Sequence, residues 1–181
     1  MRFTKHLLCA AIAAGLSSTA LANAKDEAQT TISDGWTLSE LSRDAGSAAT
    51  IITARSAQGP ALAFACGEDI GLYSVLVYEP EEELVPQVTR KQSMSHKHYG
   101  TVTVAGHERL GHTWRWKAQN GTIEVRDTEV GITLLNAIFS GDEVALSFRS
   151  LDDYALTLPA ADGAMKEFIA GCPKTAAKPA S

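Results

Sequence analysis

The sequence predicts a β-rich α+β fold: an antiparallel sandwich or curled sheet with a C-terminal helix tied to it by a disulfide. Three observations carry this. Short segments rich in β-branched residues recur along the chain, divided by Gly, Pro and Asn turn signals. Apolar residues take helical spacing in only two places, 128–141 and 162–172. Two cysteines, Cys66 and Cys172, remain once an N-terminal export signal is set aside.

That signal is residues 1–24. Arg2 and Lys5 form a positive front, Leu7 to Leu16 is an apolar run too short to span a bilayer, and Ala20-Leu21-Ala22 and Ala22-Asn23-Ala24 both fit a small-residue cleavage pattern. Cys9 lies inside the apolar run with Leu8 before it, which does not fit lipid attachment, and it leaves with the signal. An exported chain with an even cysteine count points to a disulfide, and Cys66 and Cys172 admit one pairing. A bridge closing a loop of about 100 residues contributes roughly 4–5 kcal/mol in the chain-entropy treatment.

Residues 25–34 are polar and are expected to be loose; 35–173 read as a single β-rich domain and 174–181 as a disordered tail. Within the domain, Trp36 to Ser42 alternates, 49–56 is β-branched, and Gln58-Gly59-Pro60 marks a turn. The next strand, 61–68, sets Leu62, Phe64 and Cys66 on one face, and 70–78 follows as another. Residues 79–86 read as an acidic, solvated loop bounded by prolines. Strands are expected at 99–106 and 110–119, then at 122–127 after the Asn120-Gly121 hairpin signal. Asn120-Gly121-Thr122 also matches a glycosylation sequon, which the turn explains equally well. Segment 128–141 is read as a short helix with Asp127 as its cap and Gly141 as its stop. Strands at 143–150 and 154–160 precede a last helix, 162–172, capped by Asp162, with Met165, Phe168, Ile169 and Cys172 on one face.

Four of the five histidines fall between His96 and His112. A hairpin turning at His107 to Arg109 would set Val104 opposite about His112 and Val102 opposite about Trp114. His98 then lies six residues from Val104, roughly 20 Å along the strand, which excludes one four-histidine site because zinc–nitrogen bonds are only about 2 Å long. Two sub-sites survive: an H-x-H pair, His96 and His98, with Met94 as a soft ligand for a weak metal site, and His107 with His112 should the hairpin turn fold back. Tyr99, His107, His112 and Arg115 are the candidate interaction surface, beside a packing face of Val102, Val104, Trp114 and Trp116. No cofactor is expected.

Removal of the signal leaves 14 basic against 21 acidic residues, a net charge of −7. Such a chain is a poor nucleic-acid binder, since that affinity comes from cationic contacts to phosphate. No later stretch reaches 18 consecutive apolar residues, so no membrane-spanning helix is expected. Catalytic patterns such as G-x-S-x-G, the P-loop and H-E-x-x-H do not occur, and Asp152 and Asp153, as neighbours on a strand, point to opposite faces.

The order of segments "GWTLSELSRD", "TIITARSA" and "PALAFACGEDIGLYSVLVY", followed by "WRWKAQNGTIEV", "DEVALSFRS" and "YALTLPAADGAMKEFIAGC", resembles the periplasmic type VI secretion-associated proteins of the VasI/TagO type. The resemblance covers about Trp36 to Cys172 and rests chiefly on the cysteine pair. The cysteine motif often found near the mature N-terminus of that family is absent. Invasion-associated locus B-type proteins share such domains too, but their W-x-x-x-C start is missing here. The resemblance implies a periplasmic or secreted, non-enzymatic accessory protein that binds an envelope protein or a cell-wall component. The alternatives are a periplasmic inhibitor or immunity-type protein, or a weak metal binder using His96 and His98.

Overall fold

The structure, a computed structural model, describes residues 29–32, 35–42, 48–92 and 94–172. The expected export signal and the expected C-terminal tail lie outside the described residues. Among the described residues, ten strands and three α-helices follow one another in the order β1 (Gln29–Ile32), β2 (Thr37–Ser42), β3 (Ala48–Arg55), β4 (Ala61–Gly67), β5 (Gly71–Val77), α1 (Leu84–Thr89), β6 (His96–Val104), β7 (His107–Lys117), β8 (Thr122–Val125), α2 (Thr128–Ser140), β9 (Val144–Phe148), β10 (Tyr154–Leu156) and α3 (Gly163–Gly171). The strands form one sheet, β1-β2-β3-β4-β5-β8-β7-β6-β9-β10, and every pairing is antiparallel.

Of the two expected architectures, the curled sheet is the one formed. In a flat sheet, β2 and β10 would stand about 38 Å apart at about 4.8 Å per strand. Instead the indole Nε1 of Trp36, just before β2, donates to the carbonyl of Pro159, just after β10, at 3.2 Å. Ser56 at the end of β3 accepts from the Thr157 N–H through its hydroxyl at 2.9 Å, and the Ala57 N–H donates to the Thr157 carbonyl at 3.1 Å. Gly35 permits the approach: its φ is +132°, and a Cβ there would meet Pro159 at 2.5 Å.

The inside of the curl is filled by α2 and α3. Trp36, Leu62, Phe64, Trp114, Leu134, Leu146, Met165 and Phe168 are all fully buried in this one cluster. Asp127 caps α2 by accepting from the Glu129 and Val130 N–H groups, and Gly141 ends it in the left-handed conformation. Asp162 caps α3 through the Met165 N–H. A disulfide joins Cys66 on the inner face of β4 to Cys172 at the end of α3, with a Cα–Cα distance of 5.5 Å. The outer face of β3–β5 is buried as well: Ile51, Ala61, Ala63, Tyr73, Val75 and Val77 form a second cluster with Val88 of α1. Among the described residues no helix is long and apolar enough to cross a membrane.

Four expectations need correction. Gln29–Ile32, expected to be loose, pairs with Thr37–Glu40 as β1, an edge strand held by its ladder to β2 and not announced by its own sequence pattern. The acidic 79–86 segment ends in α1; Pro86 sits in its first turn, where a missing N–H costs nothing. The β6–β7 hairpin turns at Ala105-Gly106, not at 107–109. Both residues have positive φ, 49° and 76°, as a two-residue type I′ turn requires. Val102 therefore opposes Leu110 and Gly100 opposes His112, with Arg109 forming a bulge beside the turn. Beyond the bulge the slip is four residues, an even number, so the packing face survives: Val102, Val104 and Trp114 are buried and Trp116 is partly so. In α3, Ile169 is 41% exposed and Ala164 is buried instead: the two lie on opposite flanks of the 165–168–172 face, and the Ala164 flank is the one packed into the core.

Two outcomes test these supports. Mass spectrometry of non-reduced protein should recover linked Cys66 and Cys172 peptides, and Cys66→Ala/Cys172→Ala should lower unfolding stability by about 2–5 kcal/mol in denaturant titration. Asp127→Ala should cost about 0.5–2 kcal/mol by the same measurement.

Candidate functional site

A groove of about 1070 Å³ runs between the outer face of β2–β3 and the segment leading into α1. Its floor is set by strand alternation: Thr37 and Ser39 of β2 and Thr53 of β3 project outward, and Leu41 continues the row. Leu84, Val85 and Pro86 make an apolar wall, Thr157 to Pro159 close one side, and Arg55, Glu82 and Glu83 supply charge at the rim.

The wall is anchored by buried polar groups. Gln87 is 1% exposed. Its Oε1 accepts from the Glu81 N–H at 2.9 Å, and its Nε2 donates to the carbonyls of Glu79 at 2.8 Å and Asn120 at 2.7 Å. Asn120, also buried, donates from Nδ2 to the Arg90 carbonyl at 2.9 Å, which closes the ring of contacts. The sequon asparagine is thus a structural member of the β7–β8 turn. Arg55 donates from Nη2 to the Glu81 and Glu82 carbonyls. Arg90 donates from Nη1 and Nη2 to the two carboxylate oxygens of Glu81, each at 2.8 Å. That bidentate hydrogen bond holds the Glu81 carboxyl below the usual carboxylate range and raises Arg90 in turn. Both groups are exposed and screened, so they orient the rim more than they stabilise it.

The histidines are divided by the hairpin. The rings of His96 and His98 lie against Trp116, at 6.1 and 5.3 Å between centroids, and Trp116 Nε1 donates to the Tyr78 hydroxyl at 2.8 Å. Tyr78 in turn lies 6.3 Å from the ring of Tyr154, whose hydroxyl is pushed upward first by burial and then by the charge of Asp152. Met94 is 64% exposed, and among the described residues no group of three or more His, Cys, Asp or Glu gathers to hold a metal. His107 is exposed at the turn, opposite Val104. His112 packs elsewhere: Nε2 lies 3.3 Å from Asp127 Oδ2, and Nδ1 lies 3.1 Å from the Thr113 carbonyl. Since Asp127 Oδ1 caps α2, one carboxylate holds the helix start and the strand together. Tyr99 is 48% exposed, its hydroxyl over Gly111, and Arg115 is exposed between Lys97 and Glu124 on the neighbouring strands.

Sequence reasoning located the hairpin and missed the groove. The groove's signal was the apolar set Leu84 and Val85 inside the 79–86 segment read as acidic and solvated, continued by Val88 just after it. The chain matches no protein-family model, no characterised protein and no solved structure.

Gln87→Ala should unfasten the wall. Leaving buried partners unpaired costs about 1–3 kcal/mol, and amide exchange at 79–90 should rise more than in the inner strands.

Proposed function

We propose that this is an exported, non-enzymatic binding protein of the cell envelope that holds an extended segment of a partner protein in the β2–β3/α1 groove. The groove is the observation that carries this reading. Its volume lies just above the range for small-ligand sites, about 300–1,000 Å³, and its hydroxyl-bearing strand floor beside an apolar wall suits an extended chain whose side chains alternate between wet and dry. The Cys66–Cys172 disulfide supports an oxidising compartment, in agreement with the export signal read at 1–24. The resemblance to periplasmic type VI secretion-associated proteins makes a component of such an apparatus the first partner to test.

The experiment is capture from envelope extract with the processed protein. Wild type should retain a specific partner, while Thr37→Arg/Thr89→Arg, which places two long cations in the groove, should lose it with its circular dichroism unchanged. Equal retention by both would sink the groove as the site. Recovery of the wild-type protein from the cytoplasm, unprocessed and with Cys66 and Cys172 both as free thiols, would sink export.

A further inference from the structure

The outer face of β9-β6-β7-β8 is charged against the balance of the whole chain. Lys97 and Tyr99 of β6, Thr113, Arg115 and Lys117 of β7, and Arg126 beyond β8 all project to this side, because directly paired residues share a face. Arg149, just past β9, joins them and lies 6.0 Å from the Tyr99 ring centroid. At the other border Arg126 lies 5.3 Å from the ring of Tyr73. Lys97 stands directly opposite Arg115, an arrangement that like-charge repulsion disfavours. Arg115's other cross-strand neighbour, Glu124, is 3% exposed and already engaged by Lys117 at 2.8 Å, with Arg126 at 3.9 Å. Glu108 shares the face but sits opposite Thr103 at the turn, six residues and about 20 Å along the strand from Lys97. The stripe therefore presents four exposed cations, Lys97, Arg115, Arg126 and Arg149, around a largely covered Lys117–Glu124 pair, on a chain of net charge −5.

We propose that this stripe docks the protein on the surface of an anionic lipid bilayer. The strand spacing spreads the cations over about 14 Å in one pleated layer, which matches a plane of headgroup phosphates better than an enclosed ligand. Tyr99, half exposed at the border of the stripe and held under Arg149, is the residue type that settles at a bilayer interface. Glu79 lies against Gly121 at the Lys117 end of the stripe and Glu81 is already paired with Arg90, so the acidic segment offsets charge at that border, while Arg149, three strands and about 14 Å across the sheet, lies beyond the screening length of about 10 Å at 0.1 M salt. Docking of this kind is peripheral and rests on the charge of the stripe alone, whatever occupies the groove.

The test is sedimentation of the processed protein with phosphatidylcholine vesicles, with and without 40 mol% phosphatidylglycerol as roughly the anionic fraction, at about 0.1 M salt. The protein should pellet only with the anionic vesicles and should be released at about 0.5 M salt. Each cation near an anionic surface is worth about fivefold in affinity, so Lys97→Glu/Arg149→Glu should weaken binding at least about 25-fold. Lys97→Ala/Arg149→Ala, a gentler change at the same exposed positions, should weaken it by a smaller factor. Lys166→Glu/Lys91→Glu, an equal change of charge at exposed positions off the stripe, should leave binding within about twofold of wild type. Failure to pellet with anionic vesicles, equal pelleting with both kinds, or equal loss in Lys166→Glu/Lys91→Glu would each overturn the proposal. So would tight binding to a soluble polyanion such as dextran sulfate without binding to vesicles, which would mark the stripe as a polymer site.

Discussion

The fold depends on the meeting of its two ends. A sheet of ten antiparallel strands has free edges and two faces to cover, and curling it onto its own helices resolves most of this at once. The contacts that complete the curl are few and specific: the Trp36 indole on the Pro159 carbonyl, and the Ser56 hydroxyl and Ala57 N–H with Thr157. They fix how tightly the sheet bends, and that curvature sets the volume available to α2 and α3. A looser curl would leave Phe64, Trp114 and Phe168 without neighbours on one side. Core packing is steeply sensitive to such gaps.

Both faces of β3–β5 are buried, and this divides the labour of the molecule. The inner residues, Leu62, Phe64 and Leu76, belong to the main core, while Ala61, Ala63, Val75 and Val77 face outward beneath α1. Small side chains on the outside of β4 let a six-residue helix, too short to be stable alone, lie against the sheet. Its hold comes from Gln87 and Asn120, whose side chains satisfy backbone groups that no ladder reaches. The groove exists because that helix stands beside β3 and leaves the outer face of β2 open.

Most of the strands, both longer helices, their capping residues and the cysteine pair were legible in the sequence, because each rests on local periodicity or on a residue with one conformational use. Asp127, Gly141 and Asp162 are of this kind. Closure of the sheet was not legible, since Trp36 and Pro159 are 123 positions apart and nothing local links them. The hairpin register was misplaced because Ala105 adopts a left-handed conformation that its residue type disfavours, so the turn lacked its usual Asn-Gly letters. The groove was missed for a related reason. Its wall is built on Gln87, a residue that composition assigns to the surface, and only tertiary contacts make it an interior group. The histidines illustrate the reverse case, where a conspicuous cluster in sequence becomes separate aromatic and capping contacts in space.

The disulfide also has a place in time. Cys66 and Cys172 are 106 positions apart, so at a synthesis rate of about 5–20 residues per second the first thiol precedes its partner by roughly 5–20 s. Through that interval the strands around Cys66 emerge with no covalent partner, and for most of it neither α3 nor the Pro159 contact exists to close the curl. The early half of the sheet must persist on hydrogen bonds and partial burial alone. The oxidised pair is then a chemical record that the chain has passed at least as far as Cys172, and any species caught between Cys66 and an outside thiol would be a snapshot of the unclosed sheet.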